Sequence, residues 1–180
     1  MAELNNQPCY DKDGNFLGWF SRSVATTVSI FRKDGNKLEV LLEKRGKGCP
    51  DNVGKWCCVC GYLEFGLTAE ENVIKEAKEE IGIDLKEDNM LFTGVSTKPT
   101  ENHQNVCLYY MYAAVDGEDF DMAKAVGGEQ DEVDEVKWFT IGEFVGTGLK
   151  LYDDVFESID FAFNHNELII DQLTANMDIL

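Results

Sequence analysis

Basic residues are scarce in this chain. Lysine and arginine together number 16 against 34 aspartates and glutamates, so the formal net charge is -18 at pH 7. A surface this acidic repels phosphate backbones, which disfavours nucleic acid as a general partner. A bound divalent cation would reverse the local field, so the charge leaves a small phosphorylated substrate open.

Long apolar runs are also missing. The longest is CLYYMYAAV at 107–115, which is about half of the roughly 20 residues that a membrane helix needs. The N-terminal segment MAELNNQPCY has no basic region followed by an apolar run, so it does not have the form of a signal peptide. We therefore expect no membrane association and a cytoplasmic location.

Histidine is almost absent, which limits the metal sites that the cysteines could complete. The chain has two histidines, six cysteines and a single C-x-x-C pair, Cys57 and Cys60. A structural zinc site needs four ligands, usually two such pairs or a nearby Cys/His partner. The segment WCCVC is also typical of a buried strand, in which cysteine acts as a small hydrophobe. We favour the strand and keep zinc or redox chemistry as the alternative.

No repeat or low-complexity linker divides the chain. Its length of 180 residues fits one domain, 1–180. Within it, 1–20 is expected to be an N-terminal extension or short hairpin and 150–180 a C-terminal helical segment. Strands are predicted by β-branched and alternating residues at 23–31, 37–45, 55–61, 91–97, 105–115 and 135–140. This order predicts an α/β (α+β) fold with helices packed on a mixed sheet.

One helix has clear signals at both ends. Thr68-Ala69-Glu70-Glu71 has the form of a capping box, in which the N-cap side chain and the third helical residue satisfy each other's backbone N–H groups. Gly82 is placed to end the helix. Between these ends, an apolar stripe repeats every fourth residue, at Ala69, Val73, Ala77 and Ile81.

Three glutamates of this helix share one side. At 100° per residue, Glu76, Glu79 and Glu80 lie within an arc of about 100°, beside the apolar stripe. Their repulsion would cost only a few tenths of a kcal/mol, so a solvated acidic face is one interpretation. The other is a cation site, because hard divalent cations bind several oxygen ligands that converge from a rigid element.

The stretch from Gly61 to Ile83 resembles the Nudix box. The family pattern is a glycine, five residues, a glutamate, seven residues, then Arg-Glu-apolar-any-Glu-Glu-any-Gly-apolar. The spacing is unchanged here, and the matching residues are Gly61, Glu76, Ala77, Glu79, Glu80, Gly82 and Ile83. Leu67 replaces the glutamate and Lys75 replaces the arginine.

The resemblance implies a fold, a reaction and a set of site residues. The fold is a mixed β-sheet sandwiched between helices, and the reaction is Mg²⁺- or Mn²⁺-dependent hydrolysis of a diphosphate linkage in a nucleoside diphosphate joined to another group. The implied catalytic residues are Glu76, Glu79 and Lys75. The implied metal ligands are Gly61 through its carbonyl, Glu76, Glu79, Glu80 and, from the later acidic loop, Glu132 with Glu129 as second candidate.

The two departures from the pattern bear on activity. The family arginine orients the catalytic glutamate with a planar fork, whereas Lys75 is a point charge on a flexible stem. Leu67 removes a carboxylate that Glu64 could partly replace, or it packs against the helix. For the substrate, Arg45 is the candidate phosphate contact and Phe65 the candidate for stacking on a base, beside Tyr62 and Trp19; core packing or plain surface is the competing interpretation for each.

Two other functions fit parts of the pattern. Leu67 and Lys75 favour a Nudix-like nucleotide-binding module or sensor with weak or no hydrolysis, whereas the intact glutamates favour the enzyme. The isomerase branch of the fold uses several histidines for its metal, which this chain lacks. We expect a small-molecule nucleoside diphosphate derivative as partner, and the sequence leaves a homodimer open.

Overall fold

The central feature of the chain is a seven-stranded mixed sheet. The computed structural model describes residues 7–20, 23–35, 37–99, 104–114, 131–140 and 154–164. In these ranges the strands are β1 (Gln7–Tyr10), β2 (Phe16–Phe20), β3 (Val24–Asp34), β4 (Lys37–Arg45), β5 (Trp56–Cys57), β6 (Val59–Tyr62), β7 (Met90–Ser96), β8 (Val106–Ala113) and β9 (Val133–Thr140). The helices are α1 (Ala69–Ile81) and α2 (Asp154–Asn164).

Strand β3 organises the sheet. It runs parallel to β8 on one side, and on the other it pairs antiparallel with β6 along its first half and with β4 along its second half. Strand β7 extends the sheet beyond β8, and β9 pairs with β4. Strands β1 and β2 form a separate antiparallel hairpin. The mixed sheet predicted from the order of elements is confirmed.

The predicted strand at 55–61 is two short strands. Trp56 and Cys57 pair with β4, whereas Val59 to Tyr62 pair with β3. The segment changes partner at Cys58 because β4 leaves the first half of β3, and β6 takes its place there. A single strand could not pair with both neighbours, so the prediction was wrong in its continuity and right in its location.

The turn between β3 and β4 follows the sequence signal. Asp34 is paired with Lys37 across the turn, which leaves a two-residue connection. Gly35 has φ +58°, a left-handed conformation that glycine adopts without steric cost. Gly35 therefore supplies the turn, and the hairpin forms next to the Asp34-Gly35 pair, a combination that is typical of hairpin turns.

The two helices cover opposite faces of the sheet. The stripe of α1 is buried, with Val73, Ala77 and Ile81 each no more than 1% exposed, in one core that includes Leu41. Alternate residues of β4 point to the other face, where the second core contains Val40 and three residues of α2, namely Val155, Ile159 and Ala162. The sheet is thus sandwiched between helices, as expected.

The predicted strands 91–97, 105–115 and 135–140 correspond to β7, β8 and β9. The segment IGEFV at 141–145 has the pattern of a short helix start, and 116–135 is the later acidic loop. The first of these, most of the second and the C-terminal segment beyond 164 lie outside the described residues. Within the described part of the chain, neither helix is long and apolar enough to cross a membrane.

Candidate active site

The helix that carries the three glutamates begins and ends where the sequence predicts. Thr68 Oγ1 accepts a hydrogen bond from the Glu71 N–H at 3.2 Å, and Glu71 Oε2 accepts one from the Thr68 N–H at 2.8 Å. Gly82 caps the other end in the left-handed conformation, with φ +71°. These caps determine where on α1 each carboxylate lies.

Asn72 attaches the loop before α1 to the sheet, a role that sequence reasoning missed. The side chain is fully buried. Its Oδ1 accepts a hydrogen bond from the Glu64 N–H at 3.0 Å, and its Nδ2 donates one to Thr26 Oγ1 at 2.9 Å. The sequence did contain a signal for this role, because Asn72 stands beside the apolar stripe of α1. A polar side chain buried there requires hydrogen-bond partners.

Glu76 lies directly against the backbone of Gly61. A Cβ atom at position 61 would be closer than 3.0 Å to the carboxyl carbon and both carboxylate oxygens of Glu76. Burial raises the pKa of Glu76, and the charges of Glu79, Glu64 and Glu132 raise it further against the opposing effect of Lys75. The structure therefore brings together two residues of the box that are far apart in the pattern, and it does so only because residue 61 lacks a side chain.

Glu80 contacts Cys60, the residue before Gly61 on β6. Its Oε2 accepts a hydrogen bond from the Cys60 N–H at 3.2 Å. Burial holds the pKa of Glu80 well above its usual value, and the adjacent charges of Glu43, Cys60 and Glu76 act in the same direction. Two carboxylates of α1 thus meet β6 at consecutive positions, Cys60 and Gly61.

The third carboxylate is neutralised by the lysine that replaces the family arginine. Lys75 Nζ forms an ion pair with Glu79 and a second one with Glu64 Oε1 at 3.3 Å. The hydrogen bond to Glu79 is the main cause that raises the pKa of Lys75. Glu64 is therefore engaged with Lys75, and Leu67 is half-buried.

Glu132 directly precedes β9 and is bound through its backbone to the loop after β4. Its backbone carbonyl accepts hydrogen bonds from the Gly46 N–H at 2.6 Å and from Cys49 Sγ at 3.2 Å. Its charge raises the pKa of both Glu43 and Glu76. Glu129, the second candidate, lies outside the described residues.

The proposed substrate contacts differ in exposure. Arg45 is mostly covered, and its guanidinium binds Asp51 through Nη2–Oδ1 at 3.1 Å. Phe65 is fully exposed in the loop before α1, and Tyr62 is 61% exposed at the end of β6. Neither aromatic residue is core, so both are available to a ligand. The side chain of Trp19 lies outside the described residues.

A buried carboxylate on β4 was not expected. Glu43 is 2% exposed, and its Oε1 accepts a weak hydrogen bond from Cys57 Sγ at 3.5 Å. Burial holds the pKa of Glu43 well above its usual value. The signal available in the sequence was a charged residue two positions after Leu41, on the face of β4 that α1 covers.

The donor atoms in this region fit a hard divalent cation. They are carboxylate oxygens from one rigid helix together with the carbonyl of Gly61, which is the chemistry that Mg²⁺ and Mn²⁺ prefer. Among the residues that the structure describes, no three Cys, His, Asp or Glu side chains already converge as metal ligands. Glu79 is paired with Lys75.

The comparisons with known proteins agree with this architecture. The model of the NUDIX domain family matches residues 21–159, so the chain belongs to the Nudix family. The putative nudix hydrolase 1 of Caenorhabditis elegans is 44% identical over 54 residues, which is 29% of this chain and 14% of that protein. The NAD-capped RNA hydrolase NudC of Pseudomonas aeruginosa is 25% identical over 103 residues, which is 57% of this chain and 32% of that protein.

The fold is shared with solved structures at low identity. The NUDIX domain of Shewanella oneidensis NrtR, solved with ADP ribose, superposes with a TM-score of 0.63 at 16% identity, covering 85% of this chain and 91% of that chain. This likeness establishes the fold alone. The matches to the two curated relatives span well under half of the length of each.

Proposed function

We propose that this protein is a pyrophosphohydrolase that cleaves a diphosphate linkage in a nucleoside diphosphate joined to another group, with Mg²⁺ or Mn²⁺ as cofactor. The observation that carries the proposal is the packing of the Glu76 carboxylate on Gly61. This contact joins the helix carboxylate and the strand backbone that the resemblance to the Nudix box assigns to one cation site. Family membership supports a hydrolase in general terms.

The protein side chains have separate tasks in this mechanism. A cation held by Glu76, Glu79, Glu80 and the Gly61 carbonyl would neutralise charge on the diphosphate and activate water. Glu76 acts either as one of these ligands or as the base that takes a proton from the attacking water. Lys75 positions Glu79 through their ion pair.

The substrate class is inferred from relatives, an exposed aromatic residue and the net charge. NrtR, which shares the fold, was solved with ADP ribose, and NudC acts on NAD-capped RNA according to its name. The exposed Phe65 offers a surface on which a base could stack. The net charge of -18 favours a small nucleotide over a nucleic acid. A cytoplasmic location remains a prediction.

A hydrolysis screen tests the proposal. Nucleoside triphosphates, ADP-ribose, dinucleotides and nucleotide sugars are incubated with Mg²⁺ or Mn²⁺, and release of a nucleoside monophosphate is measured. Glu79→Gln and Glu80→Gln should each lower the rate about a hundredfold or more. Glu87→Gln, an exposed residue in the turn after α1, is the matched control and should retain the wild-type rate. Undiminished turnover in both site variants would refute the mechanism.

A nucleotide-binding module is the second candidate function. The ion pair of Lys75 with Glu79 favours it, because a lysine occupies the carboxylate that the enzyme needs for its cation. Calorimetry on the same compounds separates the two functions. Binding without cleavage under every metal condition supports the module, whereas metal-dependent cleavage rules it out as the whole function.

A further inference from the structure

Glu43 is a buried acid whose presence the fold alone does not explain. In the described part of the chain, its Oε2 has no hydrogen-bond partner, while its Oε1 has only the thiol of Cys57 at 3.5 Å. Leaving a buried polar group unsatisfied costs about 1–3 kcal/mol, and more for a charged group. An apolar residue at this position would therefore give a more stable sheet.

The nearby arginine compensates this carboxylate only in part. Arg45 lies two positions later on β4, and its charge lowers the pKa of Glu43, but burial outweighs that effect. The guanidinium is engaged with Asp51, both at Oδ1 and, through Nε, at the backbone carbonyl at 3.2 Å. Oε2 of Glu43 remains without a donor.

The position of Glu43 places it between the sheet and the box helix. It pairs with Cys57 of β5 and with Val136 of β9. Glu80 of α1 is bound to the Cys60 N–H, three residues after Cys57, and the charge of Glu43 raises the pKa of Glu80. The charge of Glu132 also acts on Glu43. Glu43 thus lies on the face of the sheet that α1 covers, beside the segment whose Cys60 N–H binds Glu80.

We propose that Glu43 supplies, from the sheet, an additional carboxylate ligand to the divalent cation that Glu80 and its neighbours on α1 hold. The inference rests on the proposed function, since it extends the same cation site. It explains why an unsatisfied carboxylate oxygen persists in the core, because a cation would be its missing partner. Glu43 would also add one carboxylate to the site, whereas Leu67 replaces the glutamate of the Nudix pattern.

Manganese binding by calorimetry on the metal-free full chain tests this role without any substrate. Glu43→Gln keeps the shape of the side chain and removes its charge, and it should weaken Mn²⁺ affinity about tenfold or more. The matched control is Glu39→Gln. Glu39 lies on the same face of β4, and its carboxylate binds Arg32 at 2.7 Å. The control should bind Mn²⁺ as the wild type does.

Thermal unfolding in EDTA separates a ligand from a structural residue. If Glu43 is a metal ligand, its buried carboxylate has no partner in EDTA. Glu43→Gln should then unfold at the same temperature as the wild type or at a higher one. A lower unfolding temperature together with unchanged Mn²⁺ affinity would assign Glu43 a structural role and overturn the inference. If Glu43→Gln does not fold, Glu43→Asp keeps the charge but withdraws the oxygens, and it should weaken Mn²⁺ binding in the same direction.

The outcomes distinguish this inference from the proposed function. If wild type and Glu43→Gln bind Mn²⁺ within about twofold of each other, the inference fails and the metal-dependent hydrolase stands. If the wild type binds no Mn²⁺ and hydrolyses nothing in the screen, both fail. Loss of affinity in Glu43→Gln with retention in Glu39→Gln supports the inference.

Discussion

A single missing side chain determines where the candidate general base lies. Glycine is the only residue type at position 61 that lets the Glu76 carboxylate rest on β6. A Cβ at this position would lie closer than 3.0 Å to that carboxylate. The atoms that would clash are at the end of a flexible side chain, so the carboxylate can move while the backbone stays. We therefore expect Gly61→Ala to displace Glu76 without unfolding the protein, changing the free energy of unfolding by less than about 1 kcal/mol.

The functional loss in Gly61→Ala should be much larger than its effect on stability. Displacing a catalytic group by about 1 Å costs about a hundredfold in rate, and hydrolysis of the substrate found in the screen measures it. Gly94→Ala is the control with the opposite signature. Its Cβ would lie 2.6 Å from Cδ1 of the Phe161 ring, so it should destabilise by about 1–3 kcal/mol with kcat unchanged. An active Gly61→Ala would remove the argument for Glu76.

At the scale of the element, α2 is held to the sheet by a charged residue as well as by its apolar face. Glu157 Oε1 binds Lys98 Nζ at 2.6 Å, and its Oε2 accepts a hydrogen bond from Tyr109 Oη at 3.2 Å. Burial opposes ionisation of Glu157, but the hydrogen bonds from Lys98, Ser96 and Tyr109 outweigh it and lower the pKa below 4.5. The helix is therefore anchored by a carboxylate that stays ionised to lower pH in the folded chain.

The lowered pKa makes this anchor dependent on pH. A carboxyl group whose pKa falls on folding stabilises the protein above its unfolded pKa, and that contribution is lost as pH falls through the folded pKa. Glu157→Gln should lose about 1–2 kcal/mol at neutral pH, and the difference from wild type should shrink as urea unfolding is repeated at lower pH. Lys98→Met should show a smaller version of this trend. A difference that does not change with pH would contradict the assignment.

The whole molecule shows which features a sequence can predict. The ends of α1 at Thr68 and Gly82 depend on local hydrogen bonds, and the sequence predicted both. The contact of Asn72 with Thr26 and the burial of Glu43 depend on elements that the chain brings together only after folding. The same reason explains the change of strand partner at Cys58. The box names candidate site residues, whose roles stay predictions, and it does not predict that Lys75 pairs with Glu79.

The net charge of -18 has a consequence for the stability of the whole chain. Self-repulsion of like charges destabilises the compact state, and added salt screens it, because the Debye length falls from about 30 Å at 0.01 M to about 8 Å at 0.15 M. We expect the unfolding temperature to rise with NaCl concentration at neutral pH. Near the isoelectric point, at about 4.3, the same salt should have little effect, and this is the control.

Magnesium should stabilise the chain beyond this screening. A ligand that binds only the folded state adds about 2.7 kcal/mol at a concentration of 100 Kd, so at matched ionic strength MgCl₂ should raise the unfolding temperature above the value in NaCl. Glu80→Gln should retain the NaCl response, which depends on the total charge, and lose most of the additional Mg²⁺ response, which depends on the site. Equal curves for the two salts in the wild type would mean that the acidic surface, rather than a cation site, accounts for every effect of Mg²⁺ on stability.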